Sequence, residues 1–122
     1  MTINLKQTDA VAIATAIKTG ETTAETLITK CLEQISEHNR TLNCFTAVTT
    51  ESALNNARQL DRDIAQGKNP GLLAGIPFAV KNLYDITGLT TLAGAKINAQ
   101  NPPATHDATA VAKLKHAGAI LV

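Results

Sequence analysis

Gly75-Ile76-Pro77-Phe78-Ala79-Val80-Lys81-Asn82-Leu83-Tyr84-Asp85-Ile86-Thr87-Gly88-Leu89-Thr90-Thr91-Leu92-Ala93-Gly94 is the stretch on which the reading of this chain turns. Gly75 and Pro77 mark a turn, and Phe78-Ala79-Val80 reads as a short apolar strand. Lys81 stands at the end of that strand, and a Gly/Thr-rich segment with Gly88, Thr90, Thr91 and Gly94 follows. A rigid element that delivers one ionisable group into a loop of small residues is a common way to build a site, because small residues let other backbone come close. Lys81 is the candidate catalytic residue. To act as a base a lysine must be neutral part of the time, and burial between an apolar strand and a closed loop favours the neutral amine. So placed, it can activate a hydroxyl, hold an anion or form a Schiff base. A lysine at a strand end also simply reaches for solvent, and the pattern leaves all four readings open.

Upstream lie three helices. Thr8 is the expected cap of the first, with Ala10, Val11, Ile13, Ala14 and Ile17 at helical spacing and Gly20 as its end. Thr22 or Thr23 opens the second, and Glu25, three residues after Thr22, suggests a capping box. Its apolar face is Leu27, Ile28, Cys31, Leu32 and Ile35. His38, near its end, reads as a surface residue suited to the helix dipole. Leu42 to Val48 reads as a short strand. A third helix begins near Ser52, with Ala53, Ala57, Leu60 and Ile64 on one stripe and Arg58, Asp61, Arg62 and Asp63 facing water. Arg58 and Arg62 each have an acidic neighbour within reach along it. The Gly67–Gly71 segment ends it.

Downstream, Asn98 to Pro103 is an extended loop, since paired prolines forbid regular helix. Asp107 or Thr105 is expected to cap a fourth helix bearing Ala108, Val111, Leu114 and Ala117, ended by Gly118. Ala119-Ile120-Leu121-Val122 then reads as a buried strand, so helix, glycine and apolar strand form the second half of a β-α-β unit. No turn or cap follows Val122, so the chain is expected to be an N-terminal piece of a longer protein.

Composition narrows the function classes. The 122 residues suit one domain or part of one. Phe45, Phe78 and Tyr84 are the only aromatics, so the core must be built from Ala, Ile, Leu and Val. Stacking platforms are scarce and the net charge is only +1, which argues against nucleic acid as a direct partner. Cys31 and Cys44 have no metal-ligand spacing and read as buried or half-buried free thiols of a reducing cytosol. The start MTINLKQTDA lacks an apolar signal core, and no run is long enough to span a bilayer; a soluble cytoplasmic protein is expected. Ser36 and Ser52 fall on helices outside any Gly-x-Ser-x-Gly setting. His106 and Asp107, adjacent in sequence, read as a helix cap, and His116 as a surface residue in a last helical turn. Neither metal spacing nor a phosphate-cradling glycine pattern is present, so no cofactor and no metal are expected.

The block Gly75-Ile76-Pro77-Phe78-Ala79-Val80-Lys81-Asn82, with Gly88 and Thr90-Thr91 after it, resembles the first block of the amidase signature hydrolases. The upstream helices, Leu42-Asn43-Cys44-Phe45, and Asp107-Ala108-Thr109-Ala110-Val111 through Gly118-Ala119 are similar in the same order. The resemblance implies an α/β fold, a mixed central sheet covered by helices, of which this chain is the N-terminal part. Residues 1–40 would be a helical lead-in and 42–122 the start of the core of a single domain. It implies hydrolysis of an amide C–N bond by a Ser–cis-Ser–Lys triad in which Lys81 is the lysine and both serines lie beyond Val122. The piece by itself is therefore expected to be inactive. The partner implied is a small-molecule amide, with a homo-oligomer or a small partner subunit compatible, and neither nucleic acid directly nor a membrane. Two positions depart from the family pattern: Asn82 where Asp is common, and Ala95 where Ser after the glycine is frequent. The wording around Lys81 is most similar to the carboxybiuret hydrolase-like branch. The glutaminase component of the aspartyl/glutamyl-tRNA amidotransferase, its A chain, is the rival, and a short non-catalytic interaction module is the rival from another class.

Overall fold

The computed structural model describes residues 3–122; Met1 and Thr2 lie outside the described residues. Three helices come first: α1 (Ala10–Thr19), α2 (Ala24–Leu42) and α3 (Thr50–Ala65). Strand β1 (Pro77–Phe78), a 3-10 turn (Lys96–Gln100), α4 (Thr109–His116) and β2 (Ile120–Leu121) follow.

Several helix ends differ from the sequence expectation. Asp9, not Thr8, caps α1: its carboxylate accepts from Ala12 N at 2.8 Å. At the other end Gly20 sits at φ +79, and Glu21 N donates to Ala16 O, closing a Schellman turn. Thr23 caps α2 by accepting from Thr26 N at 3.1 Å. Glu25 does not close a capping box; it reaches across to Arg58, 2.6 Å away. The free N–H groups of Ala24 and Glu25 are taken by Asp61 of α3, at 2.8 and 3.0 Å. So Asp61 does not face water. It is the anionic partner of the α2 N-terminus, where an exposed positive helix end favours it. Arg62 meets Gln59 rather than an acid, and Asp63 pairs with Lys68.

The expected strand at Leu42–Val48 does not form. Helix α2 runs on to Leu42, and Asn43 ends it in the left-handed region at φ +50, which Asn tolerates better than most residues. Both backbone groups of Phe45 are then bound by the side chain of Asn39 (Phe45 N to Oδ1 2.8 Å, Nδ2 to Phe45 O 3.1 Å). A single amide supplies what a neighbouring strand would have supplied.

The core lies between α1, α2, α3 and β2. Ile13, Ala16, Ile17, Ala24, Leu27, Ile28, Ala53, Ala57, Ile120 and Val122 are buried together, with Cys31, Leu32, Ile35, Leu60 and Ile64 packed at the margin. Ala53 and Ala57, one turn apart, have no exposed surface, so α3 can lie close against its neighbours. Full burial of a side chain such as Ile17, Leu27 or Ile28 is worth roughly 1.5–3 kcal/mol.

β1 and β2 pair in parallel, Pro77 opposite Ile120 and Phe78 opposite Leu121, as the β-α-β reading requires. Ile120 N donates to Ile76 O and Val122 N to Phe78 O. β1 is Pro77–Phe78 rather than the expected Phe78–Val80. The close backbone approaches lie at the entry to this pair and not in the Gly/Thr-rich segment. Leu73 N donates to Ala117 O, and Gly75 N to Gly118 O. Gly118 stands at φ +95 against the Pro70 carbonyl, with no room for a Cβ. Gly88 and Gly94 have open space around them and serve only their positive φ.

Candidate functional site

Beyond β1 the chain leaves the sheet and turns. Lys81 O accepts from both Leu83 N (2.8 Å) and Tyr84 N (3.1 Å), so the backbone reverses at the lysine. Asn82 joins this turn to a second one. Its carbonyl accepts from Ala93 N at 2.8 Å, and its side-chain Oδ1 from Leu92 N at 3.1 Å. The second turn, Leu92–Ala95, is closed by Ala95 N on Leu92 O and has Ala93 and Gly94 both at positive φ (+48 and +73). Ala93 in that region costs roughly 1–2 kcal/mol, and the bonds from Asn82 help hold it there. Asn98 Nδ2 donates to Leu92 O at 2.9 Å and ties in the 3-10 turn.

Lys81 lines a cleft of about 840 Å³ together with Cys44, Phe45, Tyr84, Leu89, Leu121 and Val122. Asn82, Thr90 and Thr91 also line it, and the hydroxyls of Thr90 and Thr91 are held by Asn101 O and by Asp85. Among the described residues Lys81 is exposed, so this chain does not by itself enclose the amine as the sequence pattern suggested. Cys44 and Phe45 were not read from sequence as part of a site. They reach the cleft because Asn43 ends α2 in a left-handed step and Asn39 holds the segment after it.

A second cluster fixes the far side of the loop. Asp107 does not cap α4, whose first residue follows Ala108 with no side-chain cap. Its carboxylate instead accepts from Thr87 N (2.8 Å) and from Lys115 Nζ (2.7 Å), and these bonds hold it below the ordinary Asp range. Ala108 N donates to Asp85 O, and Gly88 N and Ala104 N are exchanged with the carbonyls of Ala104 and Leu89. Asp85 also accepts from the Thr91 hydroxyl. His106 lines a shallower pocket of about 430 Å³ with Asp85 and Thr91, and its Nδ1 meets the hydroxyl of Thr105. Ser36 and Ser52 are exposed on α2 and α3, outside the Lys81 cleft. His38 and His116 are exposed, as read.

Cys31 is half-buried, and burial pushes its thiol up from the ordinary range; Cys44, expected to be at least half-buried, is exposed. Both are free thiols. Among the described residues no three His, Cys, Asp or Glu side chains gather as a metal site. No described helix is long and apolar enough to cross a membrane.

Residues 26–122 match the amidase family. The chain belongs to the amidase family. It is 45% identical over 112 residues to AtzE, a 1-carboxybiuret hydrolase component of Pseudomonas sp. (strain ADP), covering 92% of this chain and 24% of that protein. It is 40% identical over 113 residues to the A component of the glutamyl-tRNA(Gln) amidotransferase of Lachnospira eligens, covering 93% and 23%. Among solved structures, the native peptide amidase of Stenotrophomonas maltophilia superimposes with a TM-score of 0.86 at 28% identity, covering 95% of this chain and 24% of that one. The α/β fold is thus that of the amidase signature enzymes, seen here in part. The chain spans about a quarter of the length of the curated relatives it matches.

Proposed function

We propose that these residues are the N-terminal part of a single amidase domain whose whole protein hydrolyses an amide C–N bond with Lys81 as its base. Residues 1–40 form its helical lead-in and 42–122 begin its core. The observation that carries this reading is the position of Lys81: a lysine at a backbone reversal just past a parallel strand, lining a cleft of about 840 Å³, in a chain of the amidase family. In this scheme the neutral Lys81 takes a proton through a bridging serine, and the nucleophilic serine attacks the amide carbonyl. The C–N bond breaks as the amine leaves with a returned proton, and water then releases the acyl group. Both serines, and the backbone N–H groups that stabilise the oxyanion, belong to sequence outside these 122 residues. The 122-residue chain is accordingly inactive alone.

Ammonia release from a panel of primary amides tests this. The whole protein is expected to turn over at least one amide and Lys81→Ala to remove that activity, while the 122-residue chain releases none. Ammonia release by the short chain, lost in Lys81→Ala, would overturn the claim of inactivity. Full activity of the whole protein in Lys81→Ala would overturn the role of the lysine.

The likeness to the A component of an amidotransferase favours one second reading. There the same cleft would release ammonia from glutamine for a partner protein, and the whole protein would act in tRNA-dependent amidation. Glutamine turnover stimulated by a co-purified partner distinguishes it from a free-standing hydrolase with a small-molecule substrate. Both readings place the protein in the cytoplasm.

A further inference from the structure

We propose that Asn82 is a positioning residue for Lys81, acting through its side-chain oxygen. The inference rests on the reading of Lys81 given above and extends it. Within these 122 residues the ladder bond nearest the lysine is Val122 N on Phe78 O. Among these residues no side chain from Ile76 to Ala110 is fully buried. Within them, hydrogen bonds connect the lysine turn to its neighbours. The Lys81 carbonyl holds the reversal through Leu83 N and Tyr84 N. Asn82, half-buried beside it, supplies both bonds that join this reversal to the Leu92–Ala95 turn. Its carbonyl bond is common to any residue at this position, but the bond from Leu92 N needs a side-chain acceptor one methylene from the backbone. Asn and Asp provide that acceptor, and Ala does not. Without it Leu92 N–H loses its partner, one bond remains, and the lysine turn can swing about it.

Tyr84 makes the test direct. It is the only tyrosine, there is no tryptophan, and its own N–H closes the Lys81 reversal. Its near-ultraviolet circular dichroism in the 122-residue chain therefore reports the order of this turn. Asn82→Ala is expected to lose most of that band with the far-ultraviolet helix signal unchanged, and Asn82→Asp to keep it. An undiminished band in Asn82→Ala would overturn the inference. Loss of the band in both variants would overturn it too, since the acceptor is then not what holds the turn. If Asn82→Ala does not fold, Asn82→Asp alone still decides, because the inference requires it to match the parent.

In the whole protein, with ammonia release from its best primary amide as the readout, Asn82→Ala is expected to lower kcat roughly 100-fold with KM nearly unchanged. Asn82→Asp should restore most of that loss. Activity lost in Lys81→Ala but retained in Asn82→Ala would overturn this inference and leave the proposed function standing. Activity retained in Lys81→Ala would overturn both.

Discussion

The helical half of the molecule and the cleft half are held together by different forces. From Ile13 to Ala57 the helices bury Ile, Leu and Ala side chains against one another and against β2. From Ile76 to Ala110 nothing is fully buried, and the chain is shaped by Asn82, Asp85, Asn98 and Asp107 bonding to backbone or to one another's turns. Apolar burial tolerates many sequences of similar volume, whereas a side-chain to backbone bond depends on one atom in one place. The first half is a scaffold of distributed stability. The second is a set of point contacts around a cleft, of the kind that opens locally before the whole unfolds.

The sharpest way to break this contrast is to cut the scaffold. Ile28→Ala, at a position with no exposed surface, is expected to cost roughly 2–5 kcal/mol in a denaturant melt followed by far-ultraviolet circular dichroism. A cost under about 1 kcal/mol would mean that the helical core is not the stabilising unit. Asp61→Ala removes the partner of two N-terminal amides of α2 and should cost about 1–2 kcal/mol in the same melt. Its effect should belong to the helical half, leaving amide exchange at Thr87 unchanged.

The cleft half should respond the other way. Asp107→Asn is expected to speed exchange at Thr87 N while moving the global midpoint little. The carboxyl of Asp107 is held below its ordinary value of 3.8 by Lys115 and Thr87. A depressed folded-state value contributes stability above the unfolded value and loses it as pH falls through the folded one. Protection at Thr87 should therefore persist at neutral pH and fall away only below about pH 3.8, and Asp107→Asn should erase that dependence. Protection that survives acid unchanged would remove Asp107 as the tether. The smallest effect belongs to Arg58→Ala. Its pair with Glu25 joins α3 to α2 on the surface, with side chains 47% and 43% exposed, and should be worth about 0.5 kcal/mol in a double-mutant cycle.

Much of the scaffold was legible because helical periodicity is a local signal. The stripe Ala53, Ala57, Leu60, Ile64 and the face Leu27, Ile28, Cys31, Leu32, Ile35 point inward as read. Gly20 and Gly118 end their helices for the backbone reason that glycine permits. Lys81 lines the cleft but is exposed, where the sequence suggested an enclosed amine. What failed to show were the side-chain hydrogen bonds made across sequence distance. Thr105 and Asp107 looked like caps because cap residues preceded a helix, yet Asp107 is committed to Thr87, twenty residues away. Leu42–Val48 has strand-forming residues, but strand pairing needs a partner, and Asn39 occupies the backbone of Phe45 first.

The family, the α/β class and most of the helices were legible along the chain, because hydrophobic spacing, glycine placement and an ordered motif are properties of sequence neighbours. Tertiary structure alone decided that Asp61 caps a helix it does not belong to and that Cys44 and Phe45 wall the cleft. It also brought the side chain of Asn82 to Leu92 N and that of Asp107 to Thr87 N. Those outcomes depend on which hydrogen-bonding groups come within about 3 Å of each other once the core has closed, and no local pattern encodes that distance.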